Sequence, residues 1–252
     1  MKNLTIIIPV FNLNDVKVNL LSRAIESVDD SNILIVGVKS DIEKVVIPKD
    51  KTIKTLINDS DNTTYPYQVN LAVQNVNTDY FSVLEYDDTY TPIWFKNLGQ
   101  YMENDTEDTF AFLPLTEVID TELGPIGYAN EAVWASSFSE EIGCYDVQSL
   151  EDYLDFNTSG GVFKVSDFKS LGMLKSSMKL TFWYEFLLRA LYKGKRIFVI
   201  PKVGYLHYVG NEDTLTSIYM NNMDEKEANW WIDLAKKEYF FPHDRNKKYT
   251  EE

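Results

Sequence analysis

Residues 4–10, with the sequence LTIIIPV, form an unbroken apolar run near the start of the chain. A run this rich in β-branched residues is typical of a strand buried on both faces, as in a parallel sheet covered by helices. Apolar residues over 15–28 recur with a helical period, and Asn14 or Asp15 is placed to cap that helix. Residues 33–38 form a second apolar run. Strand, helix and strand in this order predict a right-handed crossover unit and an α/β fold.

Similar patterns continue towards the middle of the chain. They predict a weaker strand at residues 52–57, a helix at 67–76 and a strand at 80–84. Thr91-Pro92 reads as an N-cap followed by proline at the first helical position, which predicts a helix starting at Pro92. A strand is predicted at residues 109–115, and the Gly-, Ser- and acid-rich stretch up to residue 160 predicts long loops over the sheet.

The last third of the chain predicts two helices and two strands. The helices are expected at residues 180–193 and 224–239, and the second of them is amphipathic. The strands are expected at residues 197–200 and 204–209. We therefore predict an α/β protein with a mixed, mostly parallel central sheet that is flanked by helices.

Composition narrows the class of protein. The formal net charge is −15, from 39 Asp and Glu against 24 Lys and Arg, which argues against general nucleic-acid binding because such a surface repels phosphate backbones. The single cysteine, Cys144, excludes an intrachain disulfide and a cysteine metal cluster. No apolar stretch approaches the roughly 20 residues that span a bilayer, and the N-terminal apolar run is too brief for a secretory signal. These features predict a soluble, cytoplasmic protein.

Three carboxylates follow the strand at residues 80–84. Glu85, Asp87 and Asp88 would stand at the carboxyl end of a sheet strand, where open α/β sheets collect ligands. A hard divalent cation would offset their mutual repulsion, and Mg²⁺ or Mn²⁺ normally takes one or two carboxylates plus phosphate oxygens. The alternative is a solvated acidic turn before a helix, where acidic residues are favourable in any case.

The motifs and their order resemble those of the family 2-like GT-A glycosyltransferases. Pro9-Val10-Phe11-Asn12 is similar to the P-x-[YF]-N that ends the family's first strand, and Glu85-Tyr86-Asp87-Asp88 to its D-x-D-D metal segment. Further similar segments are Val69-Asn70 (an R-N pair in the family), Gly160-Gly161-Val162-Phe163, the helix 186–194 and the strand 195–207. The helix 181–189 (TFWYEFLLR) also resembles glycosyltransferase-like proteins of tailed bacteriophages, which would imply the host cytoplasm.

The resemblance covers residues 4 to about 216 and implies a GT-A (Rossmann-like) fold. It implies a nucleotide-binding half over about 1–104, an acceptor half over about 105–216 and a helical extension over 217–252. The implied donor is a nucleotide-sugar, UDP-linked by default, and the implied cofactor is Mn²⁺ or Mg²⁺. The acceptor is a glycan, a protein or another hydroxyl compound.

The resemblance also implies donor-site roles for individual residues. Asp87 and Asp88 would hold the metal and diphosphate, and Glu85 would either lie near the ribose or support the metal through water. His207 would be either a third metal ligand or a structural histidine. The nucleobase pocket would be lined by Pro9, Phe11 and Asn12, and Asp41 would either accept from the base or remain a loop acid. Asn70 would lie near the donor or simply brace its helix.

Departures from the family pattern weaken the assignment of a general base. Phe182-Trp183 stand where the family often has a catalytic E-D pair, and Val69 replaces an arginine. Glu185 is the best remaining base, with Asp152 as a fallback, although Glu185 and Arg189 are also spaced as an ordinary helical ion pair. These departures favour a second hypothesis, a GT-A-shaped binding or virion-associated module without transfer activity.

Two further alternatives concern the reaction and the assembly. A nucleotidyltransferase on a similar sheet is less well supported, because no glycine-rich, basic phosphate loop follows the first strand. The C-terminal helix carries Trp230 and Trp231, which would either support a homodimer or cover an edge of the sheet.

Overall fold

The computed structural model describes residues 3–154, 156–210 and 222–237. Within these residues ten strands form one sheet: β1 Leu4–Pro9, β2 Asn32–Gly37, β3 Ile53–Ile57, β4 Tyr80–Val83, β5 Thr89–Tyr90, β6 Ala111–Asp120, β7 Gly124–Ala129, β8 Cys144–Tyr145, β9 Val162–Lys164 and β10 Ile197–Val209. The helices are α1 Asp15–Glu26, α2 Lys39–Ile42, α3 Tyr65–Gln74, α4 Trp94–Glu103, α5 Val147–Asp152, α6 Val165–Ser170, α7 Phe182–Tyr192 and α8 Glu225–Lys236, with a 3-10 turn at Ala132–Trp134.

The sheet has the strand order β3-β2-β1-β4-β9-β6-β10-β5, with β7 beside β6 and β8 beside β10. The pairs β3/β2, β2/β1, β1/β4 and β6/β10 are parallel. The short strand β9 runs antiparallel to both β4 and β6 and so joins the two parallel parts of the sheet. The predicted mixed, mostly parallel sheet is confirmed. It brings the carboxyl ends of β1, β2 and β4 to the same edge.

Alternating residues of β1 enter two different apolar cores, which confirms the two-sided burial predicted from its sequence. Ile7 packs with residues of α3 and α7 on one face of the sheet. Ile6 and Ile8 pack with residues of α1 and α4 on the other face. This follows from the two-residue repeat of a strand, which sends successive side chains to opposite faces. The strand is therefore a rigid central support for the loop that follows it.

Three sequence-based predictions of secondary structure were wrong. The helix predicted from Pro92 begins at Trp94, because Thr91 instead bonds β10: its hydroxyl donates to the Val203 carbonyl at 2.8 Å and its amide to the Gly204 carbonyl at 3.0 Å. Part of the region predicted as long loops forms the β6–β7 hairpin. The two late strands are one strand, β10, whose pairing with β6 shifts register around Pro201. Proline cannot donate to the ladder, and the strand passes it with an irregularity instead of ending.

The C-terminal helix α8 packs on α7, with Trp231 and Ala235 buried. The hydroxyl of Thr181 donates to the Trp231 carbonyl at 3.1 Å, which ties the start of α7 to this helix. The last two residues of the predicted helix, 238 and 239, lie outside the described residues. None of the helices in the described ranges combines the length and the apolar character that crossing a bilayer requires.

Candidate functional site

A cavity of about 930 Å³ opens at the carboxyl ends of β1 and β4. Side chains from distant parts of the chain meet there, including the β1 exit loop, α1, α3, the acidic segment after β4, the start of α7, the end of β10 and α8. The lining residues are Phe11, Asn12, Lys17, Tyr65, Glu85, Tyr86, Asp87, Leu154, Phe156, Asn157, Thr158, Ser159, Leu180, Thr181, Phe182, Trp183, Tyr184, His207, Tyr208, Val209, Gly210 and Ile232.

The β1 exit loop is held in shape by Asp41, a buried residue of α2. One carboxylate oxygen accepts from the Asn12 amide at 2.9 Å and the other from the Leu13 amide at 2.8 Å. Asn12 has a φ of 50°, in the left-handed region that asparagine tolerates better than most residues. Both Phe11 and Asn12 line the cavity, as the resemblance implied, whereas Asp41 braces their backbone and Pro9 is buried within β1.

Three aromatic rings form one wall of the cavity. Tyr65 lies between Phe11 and Phe182, with ring centroids 6.2 Å and 5.2 Å apart and interplanar angles of 18° and 27°. Tyr65 comes from the first residue of α3 and Phe182 from the first residue of α7. A planar, apolar wall of this kind can bind the face of a nucleobase or a sugar.

Glu85 is the first carboxylate of the acidic segment, and its carboxylate accepts a short hydrogen bond from the Tyr65 hydroxyl. Its amide lies 3.1 Å from the Tyr205 hydroxyl, which fixes the backbone at this point. Burial raises the pKa of Glu85 to about 8, with Asp88 and Asp87 adding to the rise, while the Tyr65 hydrogen bond opposes it. The carboxyl group is therefore largely protonated near neutral pH unless positive charge arrives.

Asp87 lines the cavity next to Glu85, and its backbone is held from outside the cavity. The Arg23 guanidinium donates to the Asp87 carbonyl at 2.7 Å. The same guanidinium lies 4.2 Å from the centroid of the Tyr208 ring, in a cation–π contact. Helix α1 thus positions both the acidic segment and the end of β10.

Asp88 is fully buried behind the cavity wall and is not among the residues that line the cavity. The structure therefore does not place it as a direct metal ligand. Its Oδ2 is 2.9 Å from His207 Nδ1, and its Oδ1 accepts from the Tyr208 amide at 2.8 Å. Burial by itself lowers the pKa of His207, but the hydrogen bond and charge of Asp88, with smaller contributions from Asp87 and Glu85, outweigh it and raise that pKa. Asp88 therefore orients an imidazole that lines the cavity.

The protein side chains at this site fit a divalent cation only if a bound substrate supplies further coordinating atoms. Within the described parts of the chain, no three His, Cys, Asp or Glu side chains converge to form a protein-only metal site. Asp87 and His207 both line the cavity, and Nε2 of His207 is the ring nitrogen left for a ligand when Nδ1 donates to Asp88. One carboxylate and one imidazole match a cation that takes its remaining ligands from phosphate oxygens and water.

Asn70 does not line the cavity, and it braces α3 against the segment before α7. Its side-chain amide donates to the Leu174 carbonyl at 2.7 Å, and its side-chain oxygen accepts from the Leu174 amide at 3.0 Å. These contacts correspond to the second of the two roles expected for Asn70, in which it braces its helix.

The two predicted base residues are also outside the lining of the cavity. Glu185 forms ion pairs with Arg189 at 2.7 Å and Lys175 at 3.0 Å. Burial opposes ionisation of Glu185, but hydrogen bonds from Arg189 and Lys175 outweigh it and lower the pKa of its carboxyl. Asp152 is exposed at the end of α5 and accepts from the Gln148 side chain at 2.6 Å. Neither residue lines the cavity.

Sequence reasoning missed Lys17, Tyr65 and the wall segment 157–159. The wall segment is held by Asn130, whose side chain donates to the Asn157 carbonyl at 2.8 Å and accepts from the Asn157 amide at 2.9 Å. The Gly160-Gly161 pair was the available signal for this turn. Gly160 has a φ of 74°, and a Cβ there would lie 2.3 Å from the Tyr205 ring. No comparable sequence signal marks Lys17 or Tyr65, which only the tertiary structure brings to the cavity.

The sequence matches no family model, and no curated protein sequence matches it. Solved structures do resemble it. The chain is similar to S. aureus TarS residues 1–349 in complex with UDP-GlcNAc, with a TM-score of 0.71 and 12% identity over 94% of this chain and 66% of that one. It is similar to the same TarS fragment in complex with UDP, with a TM-score of 0.59 and 14% identity over 99% of this chain and 74% of that one.

A longer TarS structure is matched at a TM-score of 0.57 and 14% identity, over 98% of this chain and 44% of that chain. The chain thus spans slightly less than two thirds of the TarS fragment bound to UDP-GlcNAc, and under half of the longer structure. At identities this low the likeness establishes the fold. The GT-A fold class predicted from the sequence is confirmed.

Proposed function

We propose that this chain is a glycosyltransferase that moves a sugar from a nucleotide-sugar, UDP-linked by default, to a hydroxyl acceptor. The observation that carries the proposal is the meeting of Asp87, His207 and the aromatic wall in one cavity at the carboxyl ends of β1 and β4. Ligands of open α/β sheets bind at this edge. The fold is shared with TarS structures in complex with UDP-GlcNAc and UDP, which supports a nucleotide-sugar as the ligand class.

The nucleobase is proposed to bind beside the β1 exit loop. Phe11 offers a ring face, and the backbone around Asn12, held by Asp41, offers fixed polar groups. Because Asp41 already accepts two amide hydrogen bonds, its role is to keep this loop in a binding-competent shape. Tyr65 extends the aromatic wall towards Glu85, which is suitably placed to contact the ribose.

The diphosphate is proposed to bind between Asp87 and His207, which would hold Mn²⁺ or Mg²⁺ together with phosphate oxygens. When bound, the cation supplies Lewis-acid stabilisation of the departing nucleoside diphosphate. Asp88 acts through His207, fixing its ring and favouring the tautomer with the proton on Nδ1. Arg23 acts through the backbone of Asp87.

The acceptor is a glycan, a protein or another hydroxyl compound. The cavity is also lined by Leu154, Phe156, Trp183, Tyr184 and Ile232, and apolar faces of this kind bind sugar rings as well as apolar groups. Ile232 belongs to α8, so this helix is proposed to contribute to the acceptor region. The division into two halves and a helical extension, the homodimer, the cytoplasmic location and the phage relationship stay predictions.

One observation favours a second candidate function, a binding module of the same fold without transfer activity. Glu185 is paired with Arg189 and Lys175, and Asp152 is exposed, so neither of the bases predicted from the sequence faces the cavity. A protein that binds the nucleotide-sugar without activating an acceptor would have this arrangement.

Titration of UDP and hydrolysis of UDP-sugars, each with and without Mn²⁺, tests the proposal. We expect UDP binding that tightens with Mn²⁺, and slow donor hydrolysis that Asp87→Asn abolishes without unfolding the protein. Asp50→Asn, at an exposed aspartate outside the cavity, is the matched control and should behave as the wild type. Absence of UDP binding at millimolar concentration contradicts the proposal, while metal-dependent binding without any turnover supports the second candidate.

A further inference from the structure

Lys17 is a buried lysine whose side chain lines the cavity. It lies in the first turn of α1, where its backbone amide donates to the side chain of the N-cap residue Asn14 at 2.9 Å. Its side chain is only slightly exposed and its ammonium lies 5.6 Å from the centroid of the Tyr86 ring. Lysine seldom buries its ammonium, because desolvation of a charge is costly unless the surroundings compensate.

The cavity offers Lys17 a surrounding with a specific chemistry. Among the described residues that line it, Glu85 and Asp87 are the carboxylates and Lys17 is the one lysine or arginine. Arg23 is nearby in the fold, but its guanidinium contacts the Asp87 carbonyl and the Tyr208 ring from outside the lining. An anion that enters the cavity therefore meets the ammonium group of Lys17.

The charge balance of the whole chain makes this local cation important. A formal charge of −15 gives no long-range attraction for a nucleoside diphosphate, and the Asp87 carboxylate in the cavity repels it at short range. Positive charge must therefore come from the cavity itself or from a bound cation. Within the cavity, the side chains that can supply it are the His207 imidazole and the Lys17 ammonium.

We propose that Lys17 binds the diphosphate of the donor, through charge-assisted hydrogen bonds from its ammonium to phosphate oxygens. This deepens and rests on the proposed nucleotide-sugar function, since it names the residue that distinguishes a nucleoside diphosphate from a nucleoside. Lys17 approaches from α1, whereas His207 approaches from β10, so the diphosphate is held between the two elements. In this role Lys17 adds to the diphosphate binding that the cation provides. The protein therefore retains part of its affinity for UDP when the cation is removed.

The test compares UDP with uridine, because the two ligands differ only in the diphosphate. Calorimetric titration of each ligand is done with chelator and then with Mn²⁺, on the wild type, Lys17→Met and Lys17→Arg. We expect Lys17→Met to weaken UDP binding in chelator by about 10- to 150-fold, the range for a lost hydrogen bond to a charged group, and to leave uridine binding within about twofold. Lys17→Arg, which keeps the charge, should recover most of the UDP affinity.

Lys96→Met is the matched control, since Lys96 is exposed on α4 and outside the cavity, and the substitution changes the net charge equally. The proposal is overturned if Lys17→Met binds UDP as tightly as the wild type, or if it loses UDP and uridine affinity equally. If Lys17→Met does not fold, Lys17→Arg and Lys17→Gln give the same comparison between charge retained and charge lost. Failure of the wild type to bind either ligand contradicts the proposed function instead, so the two failures are distinguishable.

Discussion

Asp88 Oδ2 lies 2.9 Å from His207 Nδ1, so a carboxylate that is fully buried orients an imidazole on the cavity surface. The other Asp88 oxygen accepts from the Tyr208 amide, which links the acidic segment after β4 to the end of β10. Carboxylate–histidine pairs of this kind fix both the ring orientation and the tautomer of a metal-binding histidine. The neighbouring Asp87, by contrast, lines the cavity directly.

Asp88→Asn should therefore weaken Mn²⁺-dependent UDP binding through His207. We expect a loss of about 10- to 100-fold in the Mn²⁺-dependent part of the affinity, as for other residues that support a metal ligand. The pKa of His207, followed by NMR, should fall because the hydrogen bond to Asp88 and its charge raise it in the wild type. Unchanged Mn²⁺ dependence together with an unchanged His207 titration would contradict this role.

Glu185→Gln should reduce stability, because it removes the buried carboxylate of an ion-pair cluster and leaves the charges of Arg189 and Lys175 without it. Removing one partner of a buried pair costs about 3–5 kcal/mol, and we expect the lower end since glutamine retains hydrogen-bonding groups. The folded-state pKa of Glu185 is lowered, so its contribution is present above its ordinary pKa and is lost as pH falls through the folded-state value.

Urea unfolding of the wild type and of Glu185→Gln between pH 3 and pH 8 checks this. Glu43→Gln is the control, because Glu43 forms an exposed ion pair with Lys39, four residues earlier. The difference in unfolding free energy should be largest near neutral pH and shrink in acid. Full stability combined with loss of sugar transfer would instead support Glu185 as the general base.

Gly160→Ala should destabilise the protein by more than the strain of a positive φ alone explains. Gly160 and Gly194 have φ angles of 74° and 71°, but a Cβ at Gly160 would lie 2.3 Å from the Tyr205 ring while one at Gly194 meets nothing within 4 Å. Gly194→Ala should cost about 1 kcal/mol from backbone strain, and Gly160→Ala several kcal/mol because Tyr205 must move.

Chemical denaturation of both variants measures the difference. Since the Tyr205 hydroxyl lies 3.1 Å from the Glu85 amide, Gly160→Ala should also weaken UDP binding, which Gly194→Ala should not. Equal losses of stability in the two variants would show that the Tyr205 contact is unimportant.

Asn130→Ala should destabilise the wall segment 157–159. Its side chain makes four hydrogen bonds, to the Pro114 and Asn157 carbonyls and from the Tyr145 hydroxyl and the Asn157 amide. Loss of these leaves buried polar groups unsatisfied, and we expect about 3 kcal/mol of destabilisation. Asn104→Ala, which removes one exposed hydrogen bond to the Gln100 carbonyl, is the control and should cost much less.

Thermal and urea unfolding compare the two asparagine variants. Hydrogen exchange at residues 157–161 should rise in Asn130→Ala and stay unchanged in Asn104→Ala. A wall segment that remains protected in Asn130→Ala would contradict the proposed bracing.

Local patterns predicted much of the fold because their causes are local. The buried runs of β1 and β2 and the helical period of α1 are set by side chains close together in the chain, and the structure confirms them. The start of α4 was mispredicted because Thr91 bonds β10, more than a hundred residues away. The continuous β10 was missed because pairing with β6 carries the strand past Pro201.

The sequence by itself determined the α/β class, the place of the acidic segment at a strand end and the apolar character of the elements around it. Only the tertiary structure decided which acids face the cavity, because strand and turn geometry sends Asp87 into it and Asp88 behind it. It likewise turned Glu185 towards Arg189 and Lys175 and brought Lys17 and Tyr65 together with residues far along the chain. The physical reason is that residue type and spacing define the chemistry available, while the direction of a side chain depends on packing between elements distant in sequence.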